Sequence, residues 1–158
     1  MKLAGQKVDA PKEQVVVIPR ESGNLVFKAA AVLNYDDFEK LCPKPGIPVK
    51  IFPGGGQQEN VEDPIYKEEL NTWAEKRVQF MVIKSLAATP DLEWEVVKLD
   101  QPDTWKDYEK ELKEGLSDVE VGKIFECVTS ACGLNQEQIE EATRNFLASQ
   151  GAVQSPAK

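Results

Sequence analysis

From Asp63 to Thr89 the chain carries its longest unbroken helical pattern, and that pattern limits the folds open to it. Asp63 can accept a hydrogen bond from the first free backbone N–H groups, and Pro64 has no N–H to leave unpaired at the first helical position. Tyr66, Leu70, Trp73, Ala74, Met81 and Val82 recur at three- and four-residue spacing, with Ile65, Val78 and Leu86 widening the stripe. Lys67, Glu68, Glu69, Asn71, Glu75, Lys76 and Gln79 fall on the opposite face. Thr89-Pro90 ends the pattern, because the residue before a proline is pushed out of helical geometry. At about 1.5–3 kcal/mol per large apolar side chain buried, such a face needs partners on at least two sides.

The rest of the chain must supply them, and 158 residues suffice. A domain of this size buries roughly 70% of the surface its unfolded chain exposes and folds without metal or disulfide help. Hydrophobic residues at 41% and charged residues at 29% fit an ordinary globular protein. The net charge of −8 disfavours nucleic acid and anionic membranes as partners, since both require clustered Lys and Arg. No apolar run reaches the roughly 20 residues that span a bilayer, and no signal peptide is expected at Met1–Pro11. Three irregularly spaced cysteines read as small buried hydrophobes in a reducing compartment, so a cytosolic location is expected.

Before the long helix, Val15-Val16-Val17-Ile18 and Leu25 to Leu33 are apolar runs separated by Glu21-Ser22-Gly23-Asn24, the signature of a hairpin. Asn34 is placed to cap a short helix through Cys42, with Phe38, Leu41 and Cys42 on one face. Val49–Phe52 reads as one further strand, and Gly54–Asn60 as a linker with nothing to bury. After the long helix, Asp91–Leu99 fits either a short strand or an extended strap, and a helix starting at Asp103 or Thr104 carries Trp105, Tyr108, Glu111 and Leu112 to Gly115. Ser117-Asp118-Val119-Glu120 and Asn135-Gln136-Glu137-Gln138 both have capping-box spacing and each opens a helix. The first turns Val119, Ile124, Phe125, Val128 and Cys132 inward, and the second Ile139, Ala142, Phe146 and Leu147. Gly133-Leu134-Asn135 between them is short enough to force an antiparallel hairpin.

The expected class is therefore α+β: a small amino-terminal part containing a β-hairpin, then a helical bundle closed by a carboxy-terminal antiparallel helix hairpin. The expected organisation is a flexible lead-in over 1–12, a β-rich part with one short helix over 13–53, a Gly-rich linker over 54–62, a helical domain over 63–149 and a flexible tail over 150–158.

Chemistry has few places to reside. The chain has no histidine, which removes the commonest general base, the usual Ser-His and Cys-His dyads and most zinc sites. Cys127 and Cys132 stand too far apart on a helix to form a metal pair. A reactive cysteine wants a positive neighbourhood, whereas Cys127 follows Glu126, so a buried structural thiol is expected. Asp36-Asp37 and Glu140-Glu141 are sequence neighbours, whose members diverge by about 100° on a helix, so solvated faces are the better reading than catalytic pairs. Gly54-Gly55-Gly56 lacks the Gly-Lys-Ser/Thr ending of a phosphate-binding loop. Trp73, Trp94, Trp105, Tyr66, Tyr108 and Phe80 are anchors for a core or for a partner, and spacing alone does not separate the two uses. No enzyme activity, metal or cofactor is expected.

Asn60-Val61-Glu62-Asp63-Pro64, Leu92-Glu93-Trp94-Glu95, Trp105 through Leu112, Gly115 through Glu120, Gly133-Leu134-Asn135 and Phe146-Leu147 together resemble the tail assembly chaperones of long-tailed bacteriophages. The resemblance covers the carboxy-terminal two thirds and lies in helix punctuation and aromatic anchors, and the β-rich amino-terminal part departs from the mostly helical chaperones. It implies a non-enzymatic protein of the host cytoplasm that holds the tape-measure protein soluble and recruits tail-tube protein before leaving the particle. Self-association is a further expectation. The alternative is a structural subunit of a tail or head-tail connector, found in the virion. Apolar residues in excess of what two helices need mark Val121, Ile124, Phe125, Val128, Leu134, Phe146 and Leu147 as the candidate partner-binding set, with coverage by the long helix as the competing reading.

Overall fold

The computed structural model describes residues 1–133 and 136–154. Its described residues form five α-helices, one 3-10 helix and three separate antiparallel strand pairs, an α+β architecture with the hairpins on the amino-terminal side. Strands β1 (Lys2–Leu3) and β2 (Gln6–Lys7) make a small exposed hairpin whose turn places Ala4 and Gly5 at φ +50° and +81°.

The expected second hairpin is present as β3 (Gln14–Ile18) and β4 (Leu25–Ala29), in register from Gln14 opposite Ala29 to Ile18 opposite Leu25. Opposed residues share a face, so Val16, Ile18, Phe27 and Ala29 turn inward while Val15, Val17 and Val26 turn out. The apolar run continues past Ala29, but the strand stops there, because the end of the long helix takes over the next backbone groups. Helix α1 (Asp36–Leu41) starts one residue later than Asn34 would cap it. It buries Phe38 and leaves Leu41 40% exposed.

The stretch read as a linker is a hairpin. Strands β5 (Val49–Ile51) and β6 (Gln57–Glu59) pair around Gly54 and Gly55, which sit at φ +103° and +88°. The Phe52 N–H donates to the Gly56 carbonyl and the Gly55 N–H to the Phe52 carbonyl, at 2.8 and 3.1 Å. The glycines supply left-handed conformations that side chains with a Cβ resist, which is why a turn forms where composition suggested a spacer.

Helix α2 (Pro64–Leu86) begins as its sequence dictates: Asp63 accepts from the Tyr66 N–H at 2.9 Å and Pro64 occupies the first turn. Its buried face differs from the expected stripe. Tyr66, Phe80, Val82, Ile83, Ser85 and Leu86 are buried, Trp73 is half-buried, and Ile65, Val78 and Ala74 are exposed. The amino-terminal half meets α1 and Cys42 after it, through Phe38 against Trp73 and the Trp73 Nε1–H on the Cys42 carbonyl, and the segment starting at Pro102 borders it at Thr72, Glu75 and Lys76. These contacts leave Ile65, Ala74 and Val78 uncovered.

The helix ends at Leu86, short of Thr89, and Ser85 in its last turn acts with Thr89 beyond it as a strand clamp. The Ser85 hydroxyl donates to the Ala30 carbonyl at 2.7 Å, and the Ala30 N–H donates to the Ser85 carbonyl at 3.1 Å. Thr89 Oγ1 accepts from the Lys28 N–H and donates to the Lys28 carbonyl, both at 2.9 Å. The outer edge of β4 is thereby satisfied at Lys28, and the chain at Ala30 beyond it, by the end of α2 and the turn after it rather than by a third strand.

Residues 91–100 take the strap alternative. Val97 is buried, Leu92 and Trp94 are half-buried, and the Val96 N–H donates to Glu111 Oε1 at 2.6 Å. A 3-10 helix (Pro102–Asp107) runs into α3 (Tyr108–Gly115), and Trp105 is buried with its Nε1–H on the Lys98 carbonyl at 3.0 Å. Helix α4 (Asp118–Cys132) opens with the expected capping box, Ser117 and Glu120 bonding each other's backbone N–H groups. Glu120 also takes both guanidinium N–H groups of Arg20, at 2.6 and 2.8 Å, which ties the end of β3 to the start of α4.

One core joins the parts that sequence composition separates. Ile18 and Ala29 of the hairpin pack with Val82 and Leu86 of α2, Leu112 of α3, and Val121, Ile124, Val128 and Ala131 of α4. Beside this lies an aromatic cluster of Phe38, Phe80 and Trp105 with Ile83 and Val97, its ring centroids 5.4–6.1 Å apart. Trp94 and Tyr108 touch both groups.

Candidate functional site

Helix α5 (Gln136–Gln154) runs through Gln150 and Gly151, where a tail was expected; Ser155–Lys158 lie outside the described residues. Ile139, Ala142, Phe146 and Leu147 recur at helical spacing along one stripe of it. Every residue from 139 to 151 is exposed, with Phe146 at 59% and Leu147 at 60%. The expected inward packing of this stripe against α4 is therefore absent. The inner face of α4 is occupied instead: the β3–β4 hairpin and the end of α2 cover it, leaving α5 nothing to complete.

That division splits the candidate set. Val121, Ile124 and Val128 are 2%, 0% and 1% exposed and belong to the core, so they are corrected from partner surface to structural residues. Phe125 is half-buried beside Tyr108, edge to face with a centroid separation of 6.0 Å. Phe146 and Leu147 remain available to a partner. Leu134 lies outside the described residues, as does Asn135 of the joining segment.

Asp36 and Asp37 are exposed on the first turn of α1, and Glu140 and Glu141 are exposed on α5. Burial pushes the Cys127 thiol above its ordinary value, opposite to what a thiolate nucleophile requires, and burial pushes Cys42 up as well. Cys132 is half-buried, with its thiol 3.7 Å from the Ala30 carbonyl. Among the described residues no group of three or more Cys, Asp or Glu is placed to hold a metal ion, and no helix is long and apolar enough to cross a membrane.

Several hollows open on the surface of the described residues, and two of them are lined by a tryptophan. A shallow groove of about 590 Å³ runs between the proline segment and the first half of α2, floored by Trp73, Ile65, Leu41 and Pro43 and edged by Glu68, Glu69 and Lys76. Lys44 stands 5.6 Å above the Trp73 ring. A smaller hollow of about 170 Å³ gathers Glu93, Glu95, Glu111 and Glu114 around Leu92 and Trp94. The Glu111 carboxylate is used there to hold the strap, through Oε1 on the Val96 N–H.

Sequence reasoning missed the clamp made by Ser85 and Thr89, and the Arg20–Glu120 tie across 100 positions. Thr89 carried a signal only as a residue before proline. Arg20 carried none, since its partner is chosen by how the hairpin lies on α4. The chain matches no known protein family, no curated protein and no solved structure.

Proposed function

We propose that this protein is a non-enzymatic tail assembly chaperone of a long-tailed phage, holding an apolar helical segment of the tape-measure protein through α5. The observation that carries the reading is the exposed stripe of Ile139, Ala142, Phe146 and Leu147 on a helix of 19 residues whose described side chains the rest of the fold leaves uncovered. A long tape-measure helix offers the complementary surface, and helix-against-helix burial of alternating anchors at three- and four-residue spacing needs no catalytic group. The resemblance in helix punctuation and aromatic anchors names the partner class. The folded body, with its own core under α4, carries the helix. A net charge of −8 keeps such a protein soluble while it displays apolar surface.

The test is co-expression with the tape-measure protein followed by affinity capture, using wild type and the Phe146→Asp and Leu147→Asp variants. Wild type brings the tape-measure protein down; both variants lose it while their circular dichroism melts stay at the wild-type temperature. Folded variants that still capture it would remove α5 from the interface. Recovery of the protein from mature particles in stoichiometric amount would favour the structural-subunit alternative.

A further inference from the structure

The two edges of the β3–β4 hairpin are treated differently. Lys28 sends both of its backbone groups to Thr89, away from β3, which makes the opposed pair Val15–Lys28 one that exchanges no ladder bonds. By alternation Val17–Val26 is another such pair. The N–H and C=O groups of Val15 and Val17 therefore point away from β4, and among the described residues they meet no hydrogen-bonding partner. No proline or lysine lies within β3 to blunt this edge, and Val15 and Val17 are 54% and 50% exposed.

We infer that β3 pairs antiparallel with β3 of a second copy of this chain, joining two hairpins into a four-stranded sheet. Three observations select a second copy as the occupant. First, the strand is self-complementary. With a two-fold axis at Val16 all five residues are opposed, Val15 of each copy faces Val17 of the other, and four backbone hydrogen bonds form from the four outward groups on each strand. Pro19 falls just outside, where its missing N–H costs no bond within the strand.

Second, no uncompensated charge is brought into the paired strands. The opposed positions are Gln14 with Ile18, and valine with valine. Outside the strands Glu13 falls opposite Pro19 and Lys12 opposite Arg20, whose charge is already met by Glu120. On the outer face Val15, Val17 and Val26 of both copies become contiguous, so cross-strand valine contacts accompany the backbone bonds.

Third, the course of α4 leaves room. Helix α4 crosses its hairpin diagonally: its start is tied by Glu120 to Arg20 after β3, and its end reaches Ala30 after β4 through Cys132. In the antiparallel dimer the β3 end of one diagonal lies beside the β4 end of the other. The two α4 axes are then about two strand spacings apart, roughly 10 Å, which is the ordinary distance between packed helices.

The test uses the purified chain alone, so it is independent of the tape-measure reading. Sedimentation equilibrium from low micromolar to several hundred micromolar should show the mass rising from 17.6 kDa to twice that value. Over the same range the Val15 and Val17 amides should gain protection from hydrogen exchange. Val17→Pro removes one outward N–H per copy, and so two of the four bonds, without touching a ladder bond to β4. Val15→Lys places a charge on the open edge. Each should abolish the dimer with the melting temperature at high dilution unchanged, and Val15→Lys decides the matter if the proline variant does not fold. A wild-type chain that remains at 17.6 kDa throughout, or a folded edge variant that dimerises as wild type does, would overturn the inference.

Discussion

Replacing Thr89 by Val exchanges one hydroxyl for a methyl of similar shape at the point where a single oxygen serves two backbone groups. Thr89 is 8% exposed, and its Oγ1 accepts from the Lys28 N–H and donates to the Lys28 carbonyl, both at 2.9 Å. Both backbone groups sit on a half-buried residue, and the valine methyl that replaces the hydroxyl can neither accept nor donate. A buried polar group left unpaired costs about 1–3 kcal/mol, and the carbonyl, with a second lone pair, loses less than the N–H, so the pair together cost about 2–4 kcal/mol. For a chain of this size each kcal/mol moves the midpoint by about 2–4 °C, which puts the expected fall at roughly 4–16 °C. Thr89→Ser retains the hydroxyl and gives up one methyl, so it should lose clearly less. Thermal and urea melts of the three proteins measure the difference, and hydrogen exchange at the Lys28 amide should accelerate in Thr89→Val beyond what the global loss explains. Equal stability of Thr89→Val and wild type, or equal losses in Val and Ser, would show that the oxygen does not hold the β4 edge.

Three further expectations rest on separate features. Trp105 is fully buried and closes the aromatic cluster, so Trp105→Ala should cost about 3–5 kcal/mol, whereas half-buried Trp73→Ala should cost clearly less in urea melts; the reverse order would misplace the core. The Arg20 guanidinium, then the Ser117 backbone N–H, hold the Glu120 carboxyl down from 4.5 to about 2. A depressed carboxylate stabilises fully above its ordinary value and loses that contribution as pH falls through the folded value, so melting temperature should drop more steeply between pH 4.5 and 2 in wild type than in Glu120→Gln; parallel curves would refute the link. Gly55→Val places a β-branched side chain at φ +88° in the β5–β6 turn, and should loosen that exposed hairpin by NMR while leaving the global melt within about 1 kcal/mol of wild type.

Local chemistry was legible wherever a few neighbouring residues decide the outcome. Asp63-Pro64 starts α2, Ser117 and Glu120 start α4, and the two apolar runs flanking Gly23 make the β3–β4 hairpin, because a cap or a tight turn is satisfied within a handful of positions. The same locality makes the lack of histidine decisive for Ser-His and Cys-His dyads, whatever the fold. Composition misled at Gly54–Glu59, since glycine serves a tight turn as readily as a spacer. Only the tertiary structure decided which apolar face meets which. Val121, Ile124 and Val128 on α4 and Ile139, Phe146 and Leu147 on α5 carry the same kind of pattern, yet the first set is core and the second is exposed. The hairpin reached α4 from more than 90 positions away and occupied its inner face, a competition between long-range partners that periodicity does not encode. Burial is non-directional, so a stripe states that something must cover it, and the packing of the whole chain determines what does.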